Sequence, residues 1–274
     1  MPELPEVETV AAALRIHLPG REITRVTARC DRLRRPIPLE ALQNLINKAI
    51  VGVRRRAKYL LIDMSDGEIL VIHLGMTGTL RLAGRDESAG RHDHLDLELD
   101  DGRSLRYRDP RKFGLIMVVR AQALGEVAEL GALAPEPLSP EFSADYFYNL
   151  SRKRTTAVKN FIMDQRRVVG VGNIYASESL FRSRIRPTTA VGTLSLERCR
   201  KLVNTIKEVL SEAIATGGTT ISDFRQVDGS EGAFARELQV YGRTGEPCII
   251  CGQPIEKTVI GGRSTFYCPQ CQKR

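Results

Sequence analysis

Two short clusters in this sequence combine residue types and spacing that can do chemistry. The first opens the chain, Met1-Pro2-Glu3-Leu4-Pro5-Glu6-Val7-Glu8. With Met1 removed, Pro2 presents a secondary amine flanked by carboxylates, and such an amine can attack a carbonyl-like carbon to form an iminium ion. The same residues also read as an ordinary helix start, because proline suits the first turn and acidic side chains complement the dipole. Val7, Val10, Leu14 and Leu18 continue at helical spacing. The second cluster is Cys248-x2-Cys251 and Cys268-x2-Cys271, with 16 residues between the pairs. That spacing suits tetrahedral zinc held by Cys248, Cys251, Cys268 and Cys271, against the plain alternative of a chance cysteine cluster. Four thiolates leave no open position for a substrate, so one structural zinc ion is expected, with no redox or organic cofactor. Ile260-Gly261-Gly262 is a hairpin turn midway between the pairs, which sets Arg263 at its tip. A zinc hairpin of this kind also serves as a protein-docking module; the basic tip favours nucleic acid.

Length and charge narrow what must position these groups. The 274 residues suffice for one large or two modest domains. A net charge of +8 and a pI near 9.3 point to a polyanionic partner. Residues 151–200 carry 11 Lys/Arg against 3 Asp/Glu, a local excess equal to the net charge of the whole chain. A solvated basic face explains such an excess less well than a binding surface does. No charged-then-apolar leader opens the chain and no apolar run approaches the ~18 residues of a membrane span, so a cytoplasmic protein with reduced cysteines is expected.

The leading helix is followed by short β-type runs at Arg21–Arg29, Ile50–Arg55, Tyr59–Asp63, Ile69–Leu74, Thr79–Leu82, His94–Leu99, Ser104–Arg108 and Leu115–Val119. Closely spaced strands with Ser65-Asp66-Gly67 and Asp100-Asp101-Gly102 turns predict an antiparallel sandwich or barrel. Pro135, Pro137 and Pro140 predict a linker over 134–150, after a first domain of 1–133. Helical signal follows over 155–165, over Ile174–Arg184, and from a Ser195 cap to about Ala215. On the last of these, Leu202, Ile206, Val209, Leu210 and Ile214 share one face. Residues 217–237 are glycine-rich and polar, a loop long enough to be functional. These segments define an α+β protein with a helical domain at 151–238 and a zinc finger at 239–274.

Taken together, the motifs closely resemble the bacterial formamidopyrimidine-DNA glycosylases, which excise 8-oxoguanine. The resemblance runs the length of the chain. Its specific pieces are Pro2-Glu3-Leu4-Pro5-Glu6-Val7-Glu8-Thr9, Arg56-Ala57-Lys58-Tyr59-Leu60, and His73-Leu74-Gly75-Met76-Thr77-Gly78. Further along stand Asp109-Pro110-Arg111-Lys112-Phe113-Gly114, Val169-Gly170-Val171-Gly172-Asn173-Ile174-Tyr175-Ala176, and Gly262-Arg263-Ser264-Thr265-Phe266-Tyr267-Cys268-Pro269.

The resemblance implies an N-terminal β-sandwich carrying the Pro2 helix, a C-terminal helix–two-turns–helix domain and a four-cysteine zinc hairpin, with double-stranded DNA in the cleft between domains. It implies that Pro2 attacks C1′ of the damaged nucleotide and holds the DNA as a Schiff base. Glu3 then matches the acid/base carboxylate, Lys58 the proton donor in β-elimination or a phosphate grip, and Arg263 the residue of δ-elimination. Met76, Arg111 and Phe113 match residues that fill the gap left by the flipped base, although apolar side chains such as Met76 and Phe113 more often pack in a core. Asn173, Lys159, Arg154, His92 and Tyr241 match contacts to the DNA backbone; His92, beside strands, also reads as structural. Glu6 matches a carboxylate near Pro2, or simply supplies favourable first-turn charge. The 217–237 loop matches the base-recognition loop. Arg154 departs from the family pattern by standing where lysine is common.

The expected activity is therefore excision of 8-oxoguanine and formamidopyrimidines from duplex DNA, with cleavage at abasic sites, by a monomer. A sibling of endonuclease VIII type, acting on oxidised pyrimidines, would share Pro2, Glu3 and the zinc. A non-catalytic zinc-ribbon DNA-binding protein would explain the charge and the cysteines but not Pro2, Glu3 and Lys58 together.

Overall fold

Helix α1 (Leu4–His17) starts later than a proline-first reading places it. Its N-cap is Glu3, and Glu3 and Glu6 form a capping box in which the Glu3 N–H donates to Glu6 Oε2 at 2.8 Å. Pro5, not Pro2, occupies the first turn, and Pro2 stands just outside the helix. The apolar face buries Leu4, Val7, Val10, Ala11 and Leu14, and the helix closes where the Leu18 N–H reaches Leu14 O. Glu8, at the edge of that face, accepts from Arg15 at 2.7 Å and from Arg55 at 2.6 Å, which ties the helix to the strand carrying Arg55.

The computed structural model of the protein describes residues 2–219 and 237–273. They fall into two units, 2–131 with 217–219, and 132–216 with 237–273. The first unit holds β1 (Ile23–Ala28), α2 (Leu39–Gln43), β2 (Ile50–Arg56), β3 (Tyr59–Met64), β4 (Glu68–His73), β5 (Thr79–Ala83), β6 (Asp93–Leu99), β7 (Ser104–Arg108), β8 (Leu115–Arg120) and α3 (Ala128–Gly131). Every expected strand is present, its ends moved by at most two residues. They form two antiparallel four-stranded sheets, ordered β1-β6-β7-β5 and β2-β3-β4-β8. Period-two alternation explains the sandwich. Leu95, Leu97, Leu99, Leu105 and Tyr107 of one sheet share a core with Leu60, Ile62, Met64, Leu70 and Ile72 of the other. Outward of that core, Asp96 accepts from Arg106 at 2.8 Å and Arg29 at 2.6 Å; burial raises its pKa, but the two guanidiniums win and hold it below the usual carboxylate range.

The second unit contains α4 (Ala144–Ser151), α5 (Val158–Ile162), α6 (Asn173–Arg182), α7 (Leu196–Ala215), β9 (Glu256–Ile260) and β10 (Arg263–Tyr267). Within the span 134–150, Ser143 caps α4 by accepting from the Tyr146 N–H at 3.1 Å. Phe142, Phe147 and Phe161 meet edge to face beside it, with neighbouring centroids 6.3 and 5.3 Å apart. Helix α5 is shorter than its pattern suggested, because a turn closes on Asp164 O at Arg167 and Val168. Helices α5 and α6 with the intervening turns make the helix–two-turns–helix. Ser195 caps α7, whose Leu202, Ile206, Val209 and Leu210 are buried as the periodicity requires. Of the 217–237 loop, residues 220–236 lie outside the described residues. Among the described residues no helix is long and apolar enough to cross a membrane.

Candidate active site and nucleic-acid interface

Pro2, Glu3 and Glu6 are all buried at the start of α1. Glu6 does more than complement the dipole. Its Oε2 takes the Glu3 N–H, and its Oε1 accepts from both the N–H and the Oγ1 of Thr219, each at 2.8 Å. Gly218 is left-handed at φ +80°, and a Cβ there would lie 3.0 Å from Glu6 Oε1, so this approach requires glycine. Lys58 is buried and follows Ala57, itself left-handed at φ 53°. Arg55 holds that turn by donating to Ala57 O at 2.8 Å while it also pairs with Glu8. Nearby stands His73, to which its motif in the sequence assigned no role. Its Nδ1 accepts from the Gly75 N–H at 2.9 Å, and its ring lies 4.8 Å from that of Tyr59. Burial, and then the charges of Arg34 and Lys58, lower its pKa to about 4, so the imidazole is neutral at physiological pH.

Met76 and Phe113 are 40% and 44% exposed, which excludes a core-packing role for either. The Arg111 guanidinium lies over the Phe113 ring, 4.7 Å from its centroid. The loops that carry them touch backbone to backbone. A Cβ on Gly75 would fall 2.5 Å from Gly114 N, and Lys112 takes a left-handed φ of 55° between Arg111 and Phe113. His92 is half-buried at the head of β6, its ring 6.4 Å from that of His94.

In the second unit, Lys159 is not on the surface. It is fully buried, and its Nζ donates to Asn173 Oδ1 at 2.6 Å, Ser264 O at 3.0 Å and Thr265 Oγ1 at 2.6 Å. Expected at the DNA backbone, Lys159 here fastens β10 to the start of α6 from inside the unit. Asn173 completes this tie, its Nδ2 donating to Ser264 O at 2.9 Å. Arg154 is exposed and donates to Leu150 O at 2.9 Å. Tyr241 is half-buried against Phe266, with centroids 4.9 Å apart. A residue that the sequence did not flag positions it: Glu178, buried on α6, accepts from the N–H groups of Gln239, Val240 and Tyr241. Burial raises the pKa of Glu178, opposed by those three amides.

Gly261 and Gly262, with φ of 57° and 72°, make the two-residue turn that joins β9 to β10 and sets Arg263, exposed, opposite Ile260. A Cβ on Gly261 would strike the Asn160 side chain at 2.7 Å, so the turn seats directly on α5. The four thiol sulfurs of Cys248, Cys251, Cys268 and Cys271 lie within 4.8 Å of one another. Cys251 and Cys268 are 3.4 Å apart, and Cys248 and Cys271 3.9 Å. Tetrahedral zinc with Zn–S near 2.3 Å requires sulfurs roughly 3.8 Å apart, so the cluster fits that ion. Burial and the neighbouring thiols push the Cys271 pKa up to about 12, whereas at Cys248 burial is outweighed by the Ile250 and Cys251 amides and the neighbouring thiols, which lower it to about 7.

Cations gathered on a helical unit beside a thiol-braced hairpin mark a nucleic-acid-binding class of protein. Residues 1–116 match the formamidopyrimidine-DNA glycosylase N-terminal domain, residues 133–225 the H2TH domain of those enzymes, and residues 245–274 the zinc finger found in FPG and IleRS. The formamidopyrimidine-DNA glycosylase of Geobacter sulfurreducens is 51% identical over 273 residues, 100% of either chain. The crystal structure of the MutM (Fpg) protein of Thermus thermophilus superimposes with a TM-score of 0.89 at 41% identity, covering 99% of this chain and 98% of that one. A Lactococcus lactis Fpg mutant, solved in complex with a Fapy-dG containing DNA, gives 0.92 at 36% identity over 100% of each chain. The chain belongs to the formamidopyrimidine-DNA glycosylase family.

Proposed function

We propose that this protein removes oxidised purines, 8-oxoguanine and formamidopyrimidines, from double-stranded DNA and then cleaves the strand at the abasic site. The observation that carries this reading is the placement of Pro2 directly before the helix-capping Glu3, in a chain related over its full length to formamidopyrimidine-DNA glycosylases. A base inside a duplex must leave the stack before its glycosidic bond is reached. With Met1 removed, the amine of Pro2 attacks C1′ as the glycosidic bond breaks and the damaged base departs, and cleavage of the C1′–O4′ bond, with a proton delivered to O4′, leaves the opened sugar held as a Schiff base. Glu3, at the N-cap of α1 beside Pro2, handles the proton at the opening sugar. Lys58 serves β-elimination and Arg263 δ-elimination. Met76, Arg111 and Phe113 fill the vacated stack, and Arg154, Asn173, His92 and Tyr241 hold the backbone. Lys159 acts from inside, by fixing Asn173 and the hairpin. One zinc ion per chain, held by the four cysteines, braces that hairpin and takes no part in the chemistry. We assign the protein to the bacterial cytoplasm and to action as a monomer.

Borohydride trapping tests the nucleophile. A duplex with an abasic site should become covalently attached to the protein. One extra residue before Pro2 should abolish attachment and excision together, because an amide nitrogen is not nucleophilic. Undiminished trapping by a verified blocked terminus refutes the mechanism.

A further inference from the structure

We infer that the buried carboxylate of Asp109 is a positioning residue for lesion opening, holding the Met76 loop and the Arg111–Phe113 loop in one fixed arrangement. Asp109 follows β7 and is fully buried. Its Oδ1 accepts from Thr77 Oγ1 at 2.7 Å and from the Arg111 N–H at 3.2 Å. Its Oδ2 accepts from the Gly114 N–H at 2.8 Å and from the Tyr107 hydroxyl at 3.2 Å. Its main chain is held as well: the N–H donates to His92 O at 3.0 Å, and the carbonyl accepts from His94 Nε2 at 2.9 Å.

One carboxylate therefore joins the residue after Met76, the amide of Arg111 and the residue after Phe113. The three exposed tips stand on a buried anchor. The bonds from Thr77 at 2.7 Å and Gly114 at 2.8 Å are as short as charge-assisted hydrogen bonds, and a network whose members are all satisfied is rigid. The loops have no slack around it. A Cβ on Gly114 would meet the Tyr107 hydroxyl at 1.7 Å, and one on Gly75 would meet Phe113 C at 2.5 Å. A side chain that parts stacked bases must transmit force to something stiff, and here that is Asp109.

This inference rests on the reading of Met76, Arg111 and Phe113 as the groups that open the duplex. Asp109→Asn keeps the shape but turns one acceptor oxygen into an NH2 facing N–H donors. Two single-turnover rates separate the roles: excision of 8-oxoguanine from an intact duplex, and cleavage of a preformed abasic site, where no base needs extruding. Asp109→Asn should slow excision at least tenfold more than it slows abasic-site cleavage, as Phe113→Ala should. Equal slowing of both reactions makes Asp109 a general support and overturns the inference. Selective slowing by Phe113→Ala without it in Asp109→Asn overturns the inference and leaves the opening role intact. If Phe113→Ala shows no selective slowing, the opening role itself falls. Thr77→Val and Tyr107→Phe each remove one donor and should show the same selectivity at roughly two- to fivefold, which keeps the test decisive if Asp109→Asn fails to fold.

Discussion

Asp109 and Lys159 are both fully buried charges, one in each unit, and the two units satisfy them differently. The donors to Asp109 come from its own strand end and turn, plus Thr77 on the adjoining loop. The acceptors around Lys159 come from Asn173 and from Ser264 and Thr265, more than a hundred residues along the chain. The first site closes once the sandwich forms. The second closes only when the hairpin is already folded and docked, and the hairpin in turn depends on four thiols. A buried charge is tolerable only with its partners in place, so the dependence of each site on the rest of the molecule is set by where the partners originate.

Metal removal should separate the two regions most strongly. Structural zinc contributes on the order of 10 kcal/mol to small zinc folds. Chelation should therefore abolish amide-exchange protection across β9 and β10 and impair DNA binding, while the amides of Arg111 and Gly114 stay protected. Protection lost at both sites, or at neither, breaks the comparison. Lys159→Ala should have the next largest effect, about 3 kcal/mol of stability, because it strips donors from buried acceptors. The slope of binding against salt should remain that of the native protein. A slope reduced by about one unit with the melting temperature unchanged means that Lys159 reaches a phosphate after all. Phe113→Ala should matter least to folding, within about 0.5 kcal/mol, since the side chain is exposed. A sharp fall in melting temperature returns Phe113 to the core.

The contrast also explains what the sequence revealed. Alternating apolar residues such as Leu95, Leu97 and Leu99 mark strands wherever one face is buried, and paired Cys-x2-Cys spacing marks the metal cluster. Helix α4 escaped because Tyr146, Phe147 and Tyr148 run consecutively and blur the 3.6-residue period, close behind a proline cluster. The capping box escaped because its cap is Glu3 rather than serine or threonine, which left Pro2 apparently inside the helix. Met76 and Phe113 have compositions that suit core or surface equally, and only exposure decides. Lys159 sits in a strongly basic stretch where an internal ammonium looks like any other, and the chain segment that encloses it lies too far away to read. Asp109 was visible as part of a motif; its partners on the Thr77 loop were not.

Glu6 divides one carboxylate between two neighbours, Glu3 through one oxygen and Thr219 through the other. The head of the first helix and the last described residue before 220 are thus clients of a single group, although 213 positions separate Glu6 from Thr219 along the chain. Neither can shift without releasing a bond that the other end of the same side chain must absorb. A glutamine has only one oxygen to offer, so substitution at this position forces a choice between the two clients. A change at position 6 therefore disturbs the helix start and Thr219 together.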